Sequence, residues 1–293
     1  MITSSIRSGL QAIRQRPLLA LLIFLVHAAL GYLISAPIGG ALATTFAEAG
    51  IDSIDVELLA DIPEVLGSTL ATVFGLIGFS FLLLFFWSSA LGVGLVEALR
   101  QGGGRSFWRG VENYFWRSTG LTALFVVPAA VWGIGMLLLA VVFFINLSGE
   151  VVVFWTVFVG VPSVLIMGLA ALDLALDYAR IALVQRDLGV FEAAGAGFRF
   201  GLGRWSSQAV YLFWYVPSLV LLLLPIPIET ALGASFGVYL LQQLVLLGRA
   251  GIGVAWIGSE VALYESHHEM PAIAGAVEST AAVDGTEMTA TTA

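Results

Sequence analysis

The sequence predicts an all-α, polytopic integral membrane protein. Six transmembrane helices form three consecutive hairpins, with amphipathic helices at the membrane interface. Three observations lead there. Of 293 residues, 59% are hydrophobic and 11% charged, with a mean hydropathy of +0.98; a soluble domain sits near half apolar. Several uninterrupted apolar stretches reach the roughly 20 residues that cross a hydrocarbon layer about 30 Å thick. An acid closes every second stretch: Glu97 in VEALR, Asp177 in LDYAR and Glu260 in SEVAL, 80 and 83 residues apart. Spanning backbone must pair its own polar groups, as a helix or a closed barrel. Continuous apolar runs, rather than alternating strands of about 10 residues, exclude the barrel.

The first span follows Arg7, Arg14 and Arg16 and covers about 17–38. A secretory leader has this layout with a shorter apolar core of about 7–15 residues. Ser35–Pro37 makes a poor cleavage site, because proline follows the scissile position, so the segment reads as a retained span. Residues 44–66 carry Glu48, Asp52, Asp55, Glu57, Asp61 and Glu64, with Ile51, Ile54, Leu58, Ile62 and Val65 at helical spacing. That pattern predicts an amphipathic helix on the outer face. Asp61, Pro63 and Glu64 form a helix-start signal, so span two begins near 62 and runs to about 99.

Glycines at 102–104 then break the helix. Residues 106–117, SFWRGVENYFWR, read as an interfacial helix, with aromatics at the headgroup level and arginines beside them. Span three covers about 119–145, the polar turn NLSGE at 146–150 reverses the chain, and span four covers about 151–183. Residues 184–207 are again rich in arginine and aromatics. Spans five and six cover about 208–227 and 231–263, with a turn near Glu229. Residues 1–265 thus form a single six-helix domain. Residues 266–293 lack periodicity and read as a disordered, acidic cytoplasmic tail.

The chain contains no cysteine, which excludes disulfides, thiolate nucleophiles and cysteine-ligated metals. All twelve basic residues are arginine, set against twenty acids, for a net charge of −8. An acidic, lysine-free composition is similar to that of haloarchaeal proteins. It argues against nucleic acid as a partner, since phosphate backbones need basic surfaces. Arginines cluster at the N-terminus, in 100–118 and in 184–207, and are missing from 44–66 and 146–150. By the positive-inside rule both termini face the cytoplasm, in the cell membrane.

The order of segments repeats over 1–99, 100–183 and 184–265: interfacial helix, span, outer turn, longer span, acid. Phe107 aligns with Phe191 and Tyr114 with Phe198. The even spans run about 33–38 residues, or about 50–57 Å. They exceed the bilayer core and must tilt, break or extend beyond it. Each unit begins and ends on one side, so the repeats are parallel rather than inverted. The stretches LQAIRQRPLLALL, DYARIALVQRD (followed by a phenylalanine-rich stretch) and GSEVALYE resemble a group of poorly characterised prokaryotic six-span membrane proteins. That group includes the membrane domain fused to some glycerophosphodiester phosphodiesterases. The resemblance covers nearly all residues up to 265 and implies a six-span membrane domain. The soluble phosphodiesterase barrel and its metal-binding carboxylates have no counterpart here, so the resemblance implies no enzymatic activity.

Ionisable residues inside spans are costly and mark function. Asp173, Asp177 and Arg180 are spaced i, i+4, i+7 and share one helical face. They form a cation or proton site or a polar hinge, unless span four has already left the hydrocarbon after residues 151–172. Arg249 lies in LVLLGRAGIGVAW, about 16 Å along the helix from Glu260. It locks to Asp173 or Asp177, snorkels to the headgroups, or holds a lipid phosphate. Arg105, Arg109, Arg117, Arg199 and Arg204 are candidate headgroup contacts. Small-residue stripes at Ala171, Ala175 and Ala179, at Ala90 and Gly94, and at Gly251 and Ala255 read as helix-packing surfaces. Pro128, Pro162 and Pro217 fall inside spans three, four and five. His267 and His268 are adjacent rather than at ligand spacing.

No phosphate loop, metal motif or Ser-His-Asp arrangement occurs, and no cofactor or metal is expected. The reading is a non-enzymatic membrane scaffold or partner subunit that contacts or senses lipid. Its partners are the lipid bilayer and a second membrane protein. The alternative is a transporter whose polar path uses spans four and six.

Overall fold

The computed structural model describes residues 1–48, 67–102, 104–232 and 236–287. Among the described residues the chain is helical and contains no strand. In order the elements are α1 (Ile2–Gln15), α2 (Pro17–Glu48), α3 (Gly67–Gln101), α4 (Gly104–Asn146) and α5 (Glu150–Val153). A π-helix at Phe154–Gly160 leads into α6 (Val161–Arg186). Then come α7 (Val190–Gly201), α8 (Trp205–Leu223), α9 (Pro225–Leu232) and α10 (Phe236–Glu287). Six helices are long and apolar enough to cross a membrane: Pro17–Ala41, Thr72–Gln101, Gly104–Asn146, Glu150–Arg186, Trp205–Ile228 and Phe236–His268. The six-span, three-hairpin architecture is therefore present. α2 pairs with α3, α4 with α6, and α8 with α10, while α3 and α4 share the most extensive interface.

Local chemistry accounts for the breaks. Gly102 (φ 81°) and Gly149 (φ 97°) hold left-handed turns between α3 and α4 and before α5, a region closed to most side chains. Pro162 has no N–H to donate and crowds the preceding turn. The π-helix that ends at Gly160 absorbs that mismatch. The Glu192 carboxylate accepts a bond from the Gly189 N–H (3.2 Å) and caps α7.

Three boundaries differ from the sequence reading. The stretch 106–117 is not a separate interfacial helix but the first part of α4, because nothing in it stops a helix once begun. Glu229 is not a turn; it lies within α9. α10 runs to Glu287, beyond the expected end of span six near 263; the alanines there are strong helix formers. The expected outer helix at 44–66 and the start of span two fall largely outside the described residues.

Burial divides every long helix into two parts. Large apolar side chains are exposed on α3 from Phe74 to Phe86, on α4 from Val126 to Ile145, and from Val151 to Leu169 in the next span. α8 beyond Leu212 and α10 up to Leu247 are also apolar and exposed. Residues 126–146 make about 31 Å of helix, close to the hydrocarbon thickness. Such surface suits lipid contact. The core lies at the other, arginine-rich end, within Ala90–Ala98, Phe107–Phe125, Leu174–Val184, Ala193–Phe200 and Ala250–Tyr264. The surplus helix length is packed there into a compact layer.

Amphipathic helices α1 and α7 complete that layer. α7 lies on α6, with Gly197 against Ala175 and Ala179, and Phe198 stacks on Phe125 of α4 at 5.1 Å. α1 lies on α10, with Gly9 against Ala255 and Ser259, and Ile13 against Gly251. The small-residue stripes of spans four and six are thus docking surfaces for short helices. The stripe of span two receives the Phe107 ring at Gly94.

A Cβ at Gly197 would lie 2.6 Å from the Ala179 Cβ. Gly197→Val is expected to cost about 1–3 kcal/mol and to speed amide exchange selectively in α7. Gly195 faces open space. Gly195→Ala is expected to stabilise by about 0.5–1 kcal/mol. Thermal unfolding of both variants checks the contrast.

Candidate functional site

Where the exposed apolar surface gives way to the packed layer, a polar network ties four helices together. Arg180, buried on α6, is its centre. Its Nη2 donates to Ser88 Oγ of α3 (3.1 Å) and Thr122 Oγ1 of α4 (3.2 Å). Its Nη1 lies 3.7 Å from Asp177 Oδ1. Gly92 leaves the space the guanidinium stem occupies: a Cβ there would come within 2.6 Å of Arg180 Cδ. Ser118 Oγ donates to the Ser89 carbonyl (2.8 Å), and Ser89 Oγ lies 3.1 Å from Thr122 Oγ1. Asp173, one turn before Asp177, is exposed, and its Oδ2 accepts from the Tyr211 hydroxyl of α8 (3.0 Å).

The acids that follow the even-numbered spans are all largely buried. Glu97 and Glu260 are buried, and Asp177 is nearly so. Glu97 accepts from Gln101 and sits 3.6 Å from Arg100 Nε. Glu260 Oε1 accepts from Trp256 Nε1 (2.9 Å), and its Oε2 has no partner among the described residues.

Two adjoining cavities reach this level. One, of about 230 Å³, is lined by Ser88, Gly92, Asp173, Asp177, Arg180 and Trp256. The other, of about 310 Å³, is lined by His27, Ser218 and Arg249 among apolar side chains. They share a wall of Leu91, Leu95, Gly253 and Trp256. His27 Nδ1 donates to the Ile23 carbonyl (2.8 Å), and its ring meets Trp87 edge-on.

The expected lock between Arg249 and Asp173 or Asp177 does not form. Asp177 is taken by Arg180 on its own helix and Asp173 by Tyr211. Arg249 opens into the second cavity, and its Nε is buried without a partner among the described residues. Arg180 instead forms the lock between spans. The sequence reading missed the serines, Thr122 and Tyr211 that complete it. Their only trace was small polar pairs, Ser88-Ser89 and Ser118-Thr119, inside apolar runs.

All five candidate headgroup arginines lie in the packed layer or on its rim. Arg105 joins Arg16 and Trp108 around a hollow of about 650 Å³ whose lining includes Leu18, Leu19 and Leu22. Arg109 donates to Gln101 (3.0 Å). Arg117 is taken by Asp187 at 2.8 Å, which removes it from the set of free cations. Arg199 Nε donates to the Gly195 carbonyl (3.2 Å), and Arg204 sits 4.8 Å over the Phe200 ring. Exposed Trp108, Trp116, Phe191 and Trp205 accompany them. His267 and His268 each bond through Nδ1 to carbonyls of their own helix. Among the described residues no group of three His, Asp or Glu is placed to hold a metal ion. Comparison with protein-family models, curated proteins and solved structures finds no match to the chain.

Removing one partner of a buried ion pair strands the other charge. Arg180→Gln is therefore expected to lose about 3–5 kcal/mol of stability. Adding Asp177→Asn to it recovers part of that loss. Arg249→Gln breaks no pair and is expected to change stability by about 0.5 kcal/mol or less. Unfolding in detergent, followed by intrinsic fluorescence, measures all three.

Proposed function

We propose that the chain is a non-enzymatic membrane scaffold or partner subunit of the cell membrane that reads anionic lipid headgroups. The observation that carries this reading is the belt on the rim of the packed layer. Arg105, Arg109, Arg199 and Arg204 have no carboxylate partner among the described residues. They stand beside Trp108, Trp116 (77% exposed), Phe191 (79%) and Trp205 (72%). Amphipathic aromatics sit at the headgroup level of a bilayer, and arginine forks suit phosphate there. In this reading the belt faces the cytoplasm, with both termini on the same side. The Arg180 network then serves as the rigid frame that holds the belt, and a second membrane protein is the intended client of that frame. The resemblance to membrane domains fused to phosphodiesterases agrees with a supporting role.

Native mass spectrometry on protein extracted gently at high salt tests this. The expected result is retained phosphatidylglycerol or another anionic phospholipid, with a stoichiometric companion protein. Replacing Arg105, Arg109, Arg199 and Arg204 together by Gln is expected to release the lipid. Equal retention of phosphatidylcholine, unchanged by the substitutions, overturns the reading.

A second reading, a transporter, draws on the two adjoining cavities that bring Asp173, Asp177, Arg180 and Arg249 to a common wall. It predicts that Arg249→Gln folds normally yet abolishes proton flux in vesicles under an imposed potential. The scaffold reading predicts no such flux in either protein.

A further inference from the structure

Four elements deliver polar side chains, three of them guanidinium groups, to one hollow at the arginine-rich end. Arg186 closes α6, Arg199 stands on α7, Arg204 precedes α8, and His268 lies on α10. They surround a space of about 330 Å³ floored by Ala196, Phe200 and Tyr264. Among the described residues no carboxylate lines it. The ion pairs among the described residues engage Arg100, Arg117 and Arg180, so none of the three arginines here has an acid within reach. In a chain with twenty acids and twelve arginines, this gathering of like charge is self-repelling unless an anion joins it.

The rim is held in place before any anion arrives. Phe200 is buried and organises it. The Arg204 guanidinium sits 4.8 Å over the Phe200 ring, the Tyr264 ring is 4.8 Å away, and the His268 ring 6.0 Å. Tyr264 and His268 stack at 4.2 Å. The bond from Arg199 Nε to the Gly195 carbonyl fixes the stem and leaves the terminal nitrogens for a ligand. Pre-organisation of this kind lowers the ordering cost of binding.

We propose that this hollow binds a phosphomonoester group, carried by a lipid headgroup or by free phosphate. The inference deepens the headgroup reading above and rests on it. Three guanidinium forks match a tetrahedral anion with three terminal oxygens and close to two charges. A phosphodiester offers two such oxygens and one charge, so the hollow prefers the monoester. Exposed Phe191 and Trp205 bound α7 on either side and place the hollow beside the headgroup layer.

The full chain in detergent is titrated calorimetrically with inorganic phosphate, against chloride at equal ionic strength. In parallel, nanodiscs carrying phosphatidic acid are compared with nanodiscs carrying phosphatidylglycerol. Arg199→Gln and Arg204→Gln change exposed residues and are expected to fold, which thermal unfolding verifies. Each is expected to weaken binding about tenfold, the loss of one charge-assisted contact. Arg7→Gln, an exposed charge on α1, is expected to leave it unchanged. Saturable phosphate binding lost in the two variants supports the proposal with a soluble source. A preference for phosphatidic acid lost in the same variants supports it with a lipid source. Absence of both, or binding that the variants leave intact, overturns it. If phosphatidylglycerol is still retained in that case, the headgroup reading survives. If no anionic lipid is retained by the unaltered chain, both readings fall.

Discussion

Helices longer than a bilayer is thick set the terms for the rest of this molecule. A spanning segment satisfies its own backbone and needs only apolar side chains toward lipid. Helix that emerges beyond the hydrocarbon loses that cover and must bury its apolar side chains against protein. Here the emergent parts of α3, α4, α6 and α10 converge, and α1 and α7 fill the gaps between them. The result is one molecule with two kinds of packing. Side chains face outward along the lipid-facing parts and interlock in the layer beyond.

Arg180 sits where these regimes meet. An unpaired guanidinium at that depth would be expensive. Its partners come from three helices, so each bond also fixes how those helices stand relative to one another. Asp177 supplies charge, Ser88 and Thr122 supply acceptors, and Gly92 supplies room. The network therefore reads first as structure. Beside its two neighbouring cavities, Glu260 Oε2 and Arg249 Nε are among the buried polar atoms without a hydrogen-bond partner among the described residues.

The arginines divide by what surrounds them. Some are spent on carbonyls and acids: Arg16 on Ala98, Arg100 on Val184, Arg117 on Asp187. Arg105, Arg109, Arg199 and Arg204 have no carboxylate partner among the described residues, and exposed aromatics accompany them. This division supports the proposal that recognition of anionic phosphate is the chain's chemical task.

Six spans, three hairpins and the arginine-rich loops were legible in sequence, because apolar run length and charge placement are local properties that a bilayer constrains directly. Excess helix length was legible too, as a conflict without its resolution. That 106–117 continues into α4 was not, since interfacial composition does not itself end a helix. The polar residues within spans four and six announced themselves as ionisable groups in apolar runs. Whether Arg180 or Arg249 would form the lock depended on which hydroxyls lay opposite, and Ser88 and Thr122 lie 92 and 58 residues away in the chain. The gathering of Arg186, Arg199, Arg204 and His268 likewise came only with the docking of α7 against α6 and α10. By itself the sequence determined which segments can live in lipid, because solvation acts residue by residue. Tertiary structure alone decided which charges meet, because that depends on contacts between segments no local pattern encodes.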